Sequence, residues 1–135
     1  MIVLDTSFIV AFYNRTDVHH DSAKQIMERL LSDEWGTPLL PEYVFWELTT
    51  VIAARRDLKT AVEAGQRLLD SQDVRFMPCS ELFFDAFEIF SKQSAKTSLS
   101  FVDSALIAAA RRNNADCIAT FDRDFRKIKG IRTVP

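Results

Sequence analysis

Cysteine, glycine and proline are all scarce in this 135-residue chain, with two Cys, three Gly and four Pro. Cys79 and Cys117 stand far apart, with no CxxC and no Cys/His cluster, so the sequence offers neither a zinc site nor a disulfide framework. A reduced, intracellular protein is expected. So few Gly and Pro leave no low-complexity stretch or linker, and no internal repeat is visible. Charge is balanced as well. A formal net charge of −2 with 27% charged residues excludes a highly charged disordered tail and a pervasively basic coat protein, so any polyanion must meet a local patch. No apolar run approaches the ~20 residues of a membrane span, and the N-terminal MIVLD reaches an acid too early for a signal peptide. The expectation is a cytoplasmic, soluble protein. What the chain does have is 47% hydrophobic residues, enough to fill the core of one domain spanning residues 1–135.

Short apolar runs alternate with helical patterns. Ile2 to Leu4 predicts a strand, closed by Asp5, Thr6 and Ser7, and Phe8 to Phe12 continue as a helix. From Asp17, apolar residues at Ala23, Ile26, Met27, Leu30 and Leu31 keep helical spacing until Gly36. Thr37 to Leu40 predicts a second strand, and Pro41 suits the first turn of a helix running to about Arg56. Asp57 is expected to cap a helix carrying Ala61, Ala64 and Leu68. Val74 to Met77 reads as a strand stopped by Pro78, with Ser80 capping the helix that follows. Ser94 to Ser98 reads as a polar loop. A strong helix starts at Ser100 and runs through Ala110, and Cys117 to Ala119 and Ile131 to Val134 complete the strands. This alternation predicts an α/β sandwich built on a parallel sheet.

Four acids fall at informative places. Asp5 follows the first strand and Asp122 follows the strand Cys117 to Ala119, which puts both at the edge where ligands collect on parallel sheets. At about 100° per residue, Glu47 groups with Tyr43, Val44, Val51 and Ala54, the side expected to face the core, while Glu42 lies elsewhere and exposed. Asp103 shares a stripe with Leu106, Ile107 and Ala110. Burying an unpaired carboxylate is costly. If the two helices flank the strand edge, four carboxylates converge there, and a hard divalent cation is the simplest way to neutralise them. Oxygen-only ligands favour Mg²⁺ or Mn²⁺ over zinc.

Each acid also has a purely structural reading. Asp5 is a candidate N-cap, Asp103 three residues after Ser100 makes a capping box, Glu47 can snorkel from the edge of its stripe, and Asp122 with Asp124 can form an Asx turn.

Taken together, Ile-Val-Leu-Asp-Thr-Ser at the start, Glu47-Leu48 inside an apolar helix, Leu-Ser-Phe-Val-Asp-Ser-Ala-Leu-Ile-Ala-Ala-Ala at 99–110 and Thr-Phe-Asp-Arg-Asp-Phe at 120–125 resemble the PIN domain family, and more closely its VapC-type toxins. The resemblance runs from end to end. It implies a three-layer sandwich with a parallel sheet between helices, a Mg²⁺- or Mn²⁺-dependent endoribonuclease site and, usually, a homodimer with a cognate antitoxin. By motif, the metal-site acids are Asp5, Glu47, Asp103 and Asp122, with Asp124 the alternative fourth acid. Thr6, Ser7 and Thr120 are implied as polar helpers that position water or phosphate.

An acidic site needs cations at its rim to hold RNA. Arg111, Arg112, Arg123, Arg126, Lys127, Lys129 and Arg132 concentrate in the last quarter, and Arg123 and Arg126 flank the acidic turn; the alternative is a solvated helix end. Arg55 and Arg56 are further candidates for binding a partner or RNA. His19 and His20 are expected to act locally at a helix start, because two-histidine catalysis needs them separated across the scissile bond. Phe83, Phe87 and Phe90 are expected to line the core, while the remaining aromatic surface, with Tyr43, Phe45 and Trp46, suits a homodimer and a groove for an antitoxin segment. Three other functions stay open: a PIN-like RNA-processing or DNA-end nuclease without an antitoxin, a Mg²⁺-binding receiver module, and a PIN-like domain that only binds partners. The receiver fits poorly, since it wants an early acid pair and a Lys at a late strand end.

Overall fold

Among the described residues, five strands and six helices follow one another as β1 (Ile2–Leu4), α1 (Thr6–Tyr13), α2 (His20–Leu31), β2 (Pro38–Pro41), α3 (Glu42–Arg55), α4 (Leu58–Asp70), β3 (Arg75–Met77), α5 (Cys79–Ser91), α6 (Phe101–Arg112), β4 (Cys117–Ala119) and β5 (Thr133–Val134), with a 3₁₀ helix at Arg123–Lys127 between β4 and β5. The computed structural model describes residues 1–93 and 99–135; the polar loop expected over Ser94 to Ser98 lies outside the described residues. Every strand pairing is parallel, in the order β3-β2-β1-β4-β5. β1 is therefore central, with Ile2, Val3 and Leu4 opposite Cys117, Ile118 and Ala119. All six residues of that pairing are buried, as strands covered on both faces require.

The order reverses at the β1–β4 junction, since β2 and β3 extend to one side of β1 and β4 and β5 to the other. Such a switch point leaves a crevice beyond the carboxyl ends of the strands. Asp5 and Thr120 stand there. The helices fall into two contact groups, α1 to α4 and α5 with α6, with α3 lying on β2 and α6 on β1 and β4. Among the described residues no helix is long and apolar enough to cross a membrane.

Most expected elements occur, shifted by one to three residues. The helix expected from Asp17 begins at His20, and the strand expected over Ile131 to Val134 keeps only Thr133 and Val134. Pro41 closes β2 and precedes α3 instead of sitting in its first turn. Ser80 is not a cap: Pro78 occupies the N-cap position of α5, and the first turn is satisfied from another helix, with Cys79 N–H donating to Glu42 Oε2 at 3.1 Å. Two expected caps are present. Asp57 accepts from Thr60 N–H at 2.7 Å, and Ser100 with Asp103 forms a reciprocal capping box.

The aromatic line on α5 turns out differently. This helix buries Leu82 and Ala86, whereas Phe83 and Phe87 are each 57% exposed, Phe84 is 82% exposed and Phe90 is 38% exposed. Leu82 and Ala86 are one turn apart and set the inward stripe, which leaves the bulkier rings at its flanks. Phe83 and Phe90 instead pack against Phe101 at the start of α6, with ring centroids 5.7 and 5.9 Å away.

α3 and α4 approach closely at Gly65, where a Cβ would meet Thr49 Cγ2 at 3.3 Å and the Phe45 ring at 3.4 Å. A branched side chain there has to drive the helices apart. Gly65→Leu is expected to destabilise the protein by about 1–3 kcal/mol, read as a lowered urea midpoint.

Candidate active site

Asp5 leaves β1 in extended conformation and its N–H still donates to Ala119 O at 3.1 Å, so the β1–β4 ladder carries it to the strand edge. Its side chain does not cap α1. Instead, one carboxylate oxygen, Oδ2, accepts from Ser7 Oγ at 2.5 Å and from Thr120 Oγ1 at 2.7 Å. Each hydroxyl has a single proton and both protons go to Asp5, so their oxygens are left to accept: Ser7 Oγ from Phe121 N–H, Thr120 Oγ1 from Asp122 N–H, both at 3.0 Å. This ties the turn after β1 to the turn after β4. Burial raises the Asp5 carboxyl above its ordinary value; the two hydroxyls pull it down and the Glu47 charge adds to the rise.

Glu47 does not face the core. α3 buries Val44, Leu48 and Ile52, a stripe at i, i+4 and i+8, and Glu47 stands one residue off it, exposed at the edge nearest α1. There Oε2 accepts from the buried Thr6 hydroxyl at 2.6 Å. Glu42, expected to be exposed, is the more enclosed of the two and holds the start of α5. Asp103 is half-buried at the third position of α6, where Oδ2 accepts from both Ser100 N–H and Ser100 Oγ at 2.7 Å.

Asp122 makes the turn contact expected of a capping acid. It is exposed, caps the 3₁₀ helix and accepts from Asp124 N–H at 2.8 Å; Asp124 in turn pairs with Lys127. Arg123 and Arg126 are exposed on the same short helix, whose Phe125 is buried. Arg112 pairs with Asp85, and Arg56 Nη1 reaches Asn14 Oδ1 at 3.4 Å. The histidines have local partners: His20 Nδ1 meets Ala11 O at 2.9 Å, and His19 stacks on Phe121 with ring centroids 4.4 Å apart.

The residue that sequence reasoning undervalued is Tyr43. It was grouped with apolar surface, yet its hydroxyl is buried and is the only such side-chain atom without a hydrogen-bond partner among the described residues. Its pKa is pushed well above the ordinary value by burial and by the charges of Asp5, Asp103 and Glu47 around it, with Cys79 also contributing. Its place one turn before Glu47 was the available signal. Asp5, Glu47 and Asp103, from three different elements, thus all act electrostatically on the Tyr43 hydroxyl. Asp122 joins them only through its N–H to Thr120.

The donor set is all oxygen, as a hard divalent cation prefers, and the burial that raises Asp5 and the orphaned Tyr43 hydroxyl both fit a site whose acids have no cationic side chain bonded to them among the described residues. As the side chains stand, no three Asp, Glu, His or Cys residues among those described are grouped tightly enough to hold an ion. Each acid has one oxygen bonded to a hydroxyl: Asp5 Oδ2 to Ser7 and Thr120, Glu47 Oε2 to Thr6 and Asp103 Oδ2 to Ser100.

Known proteins match this chain over nearly its whole length. Ribonuclease VapC48 of Mycobacterium tuberculosis is 26% identical over 138 residues, covering 95% of this chain and 92% of the relative. The structure of M. tuberculosis VapC20, a toxin that cleaves the sarcin-ricin loop, superposes with a TM-score of 0.84 at 28% identity over the full length of both chains. Rickettsia felis VapBC2, solved bound to a promoter DNA fragment, shares the fold with a TM-score of 0.73 at 20% identity, covering 98% of this chain and 97% of the matched chain. The PIN domain family model spans residues 2–131, and the chain belongs to that family.

Proposed function

We propose that this protein is a metal-dependent endoribonuclease, the toxin of a toxin–antitoxin pair, with Asp5, Glu47, Asp103 and Asp122 holding Mg²⁺ or Mn²⁺. The observation that carries the reading is Asp5 held by the Ser7 and Thr120 hydroxyls at the β1–β4 switch point, with Glu47 held by Thr6, the residue next to Asp5. The names of VapC48 and VapC20 support ribonuclease and toxin activity, and the VapBC2 structure supports an antitoxin partner.

When bound, such an ion activates water for attack on a phosphodiester and neutralises charge developing on phosphorus. The chain's own part is positioning. Ser7 and Thr120 aim Asp5, Thr6 aims Glu47, and Ser100 fixes Asp103 at the start of α6. Arg123 and Arg126 are placed to contact RNA phosphates from the exposed 3₁₀ helix, offsetting the repulsion of an acidic site. His19 stacked on Phe121 and His20 bonded to the Ala11 carbonyl support local roles for both at the start of α2. The exposed Phe83, Phe84 and Phe87, with Trp46 at 59% exposure, support further contacts with a second copy or an antitoxin.

The test is incubation of the purified protein with a pool of structured RNAs in Mg²⁺, in Mn²⁺ and in EDTA. Discrete cuts with either ion and none in EDTA are expected; cuts that survive EDTA, or no cuts in any condition, would overturn the reading. Glu47→Gln keeps the acceptor for Thr6 but removes the charge. Its Mn²⁺ affinity is expected to drop at least about tenfold by calorimetry, the scale seen when even a supporting partner of a metal site is lost.

A further inference from the structure

We propose that Tyr43 is a positioning residue of the acidic site, its hydroxyl donating the hydrogen bond that orients the carboxylates as they close on a divalent cation. This rests on the metal-site reading above and adds a residue to it. Buried hydroxyls nearly always find a partner, because leaving one unmade forfeits its desolvation cost. The Tyr43 hydroxyl has none, although Asp5, Asp103 and Glu47 are near enough for their charges to act on it.

The accounting of protons and lone pairs shows what is missing. Asp5 Oδ2, Glu47 Oε2 and Asp103 Oδ2 are committed to Ser7 and Thr120, to Thr6 and to Ser100. Among the described residues, Asp5 Oδ1, Glu47 Oε1 and Asp103 Oδ1 receive no side-chain hydroxyl. One buried donor without a partner among the described residues thus lies on the helix of Glu47, one turn before it, within the field of Asp5 and Asp103. A carboxylate oxygen has two lone pairs, so it can ligate a cation and still accept from a phenol. The buried hydroxyl is closed to solvent, so its partner is a group already inside the site and not the RNA itself.

A phenol also suits this position better than a cationic side chain. Lysine or arginine among these acids would neutralise them and compete with the ion. A protonated tyrosine holds a carboxylate by a charge-assisted hydrogen bond and leaves the negative charge available.

Tyr43→Phe removes only the oxygen. Mn²⁺ affinity, measured by calorimetry without RNA, is expected to weaken about 10- to 100-fold, the range of a hydrogen bond to a charged group. The turnover number on a cleaved RNA is expected to fall with KM for RNA unchanged, and the Tm in EDTA is expected to stay level or rise, because an unpartnered buried hydroxyl has been deleted. A purely structural hydroxyl would give the opposite pattern, a lower Tm in EDTA with Mn²⁺ affinity intact, and that result overturns the proposal. If wild type binds Mn²⁺ and cleaves RNA but Tyr43→Phe matches it in both, the assignment of Tyr43 fails and the nuclease reading stands. If wild type binds no Mn²⁺, both fail together.

Discussion

Asp103→Asn is expected to cut the turnover number for RNA about 100- to 1,000-fold or more, the scale of removing one preorganised electrostatic group from an active site, while leaving the fold intact. The choice of asparagine follows from the capping box. Asp103 Oδ2 receives both Ser100 N–H and Ser100 Oγ, and the asparagine carbonyl oxygen can take over as acceptor while the α6 N–H to Ser100 Oγ persists. The variant loses only the favourable placement of a negative charge at a helix N-terminus, about 0.3–1 kcal/mol. Asp103→Ala would instead remove half of the box and confound activity with stability. Cleavage rates and Tm measured on the same preparation separate the two effects. Full activity in a folded Asp103→Asn protein would remove Asp103 from the catalytic group.

Asp5→Asn is expected to abolish cleavage to a similar degree and, unlike most active-site changes, to make the metal-free protein more stable. Burial lifts the Asp5 carboxyl above its ordinary value of 3.8, so the folded protein holds this proton more tightly than the unfolded chain does. Stability from this group is greatest below the unfolded value. It is lost as pH climbs from there through the raised folded value, and above that the folded state bears the full cost of a buried charge. Asparagine cannot titrate, and its carbonyl can still accept from Ser7 and Thr120. In EDTA, Tm against pH should therefore decline for wild type across this window and stay flatter for the variant, leaving Asp5→Asn the more stable near neutral pH. Saturating Mn²⁺ should raise the Tm of wild type and not that of the variant. Parallel Tm profiles in EDTA would mean that the Ser7 and Thr120 hydroxyls offset the burial completely.

Much of this was legible before any coordinates. The buried β1 and β4 are short apolar runs bounded by polar residues, and the Asp57 cap and Ser100–Asp103 box are local in sequence, so neighbouring residues suffice to specify them. The phase of α3 was not. Tyr43, Val44, Phe45, Trp46, Leu48, Val51 and Ile52 spread apolar side chains around most of that helix, and only its packing against α1, α4 and β2 selects the Val44–Leu48–Ile52 stripe, turning Glu47 outward. The Phe-rich α5 failed for the same reason, since period alone cannot rank rings against Leu82 and Ala86. The acids were found by position and the hydroxyls of Thr6, Ser7 and Thr120 by motif, but which acid each hydroxyl holds was not legible: the bond from Thr120 to Asp5 spans 115 residues, and the Tyr43 hydroxyl gave no local signal of its burial.

The central place of β1 also governs when the protein becomes dangerous to the cell that makes it. Asp5 and Glu47 emerge from the ribosome early, but the strand that flanks β1 on its other side, and the Thr120 that grips Asp5, belong to the last fifth of the chain. Until β4 slots beside β1, Asp5 lacks one of its two hydroxyl donors and the sheet has no switch point. Assembly of the site therefore waits on a pairing of high sequence separation, which forms late because the loop it closes is long. On the proposed function, a chain that lacks β4 is harmless to the RNA around it, and cleavage becomes available only once β4 has paired with β1.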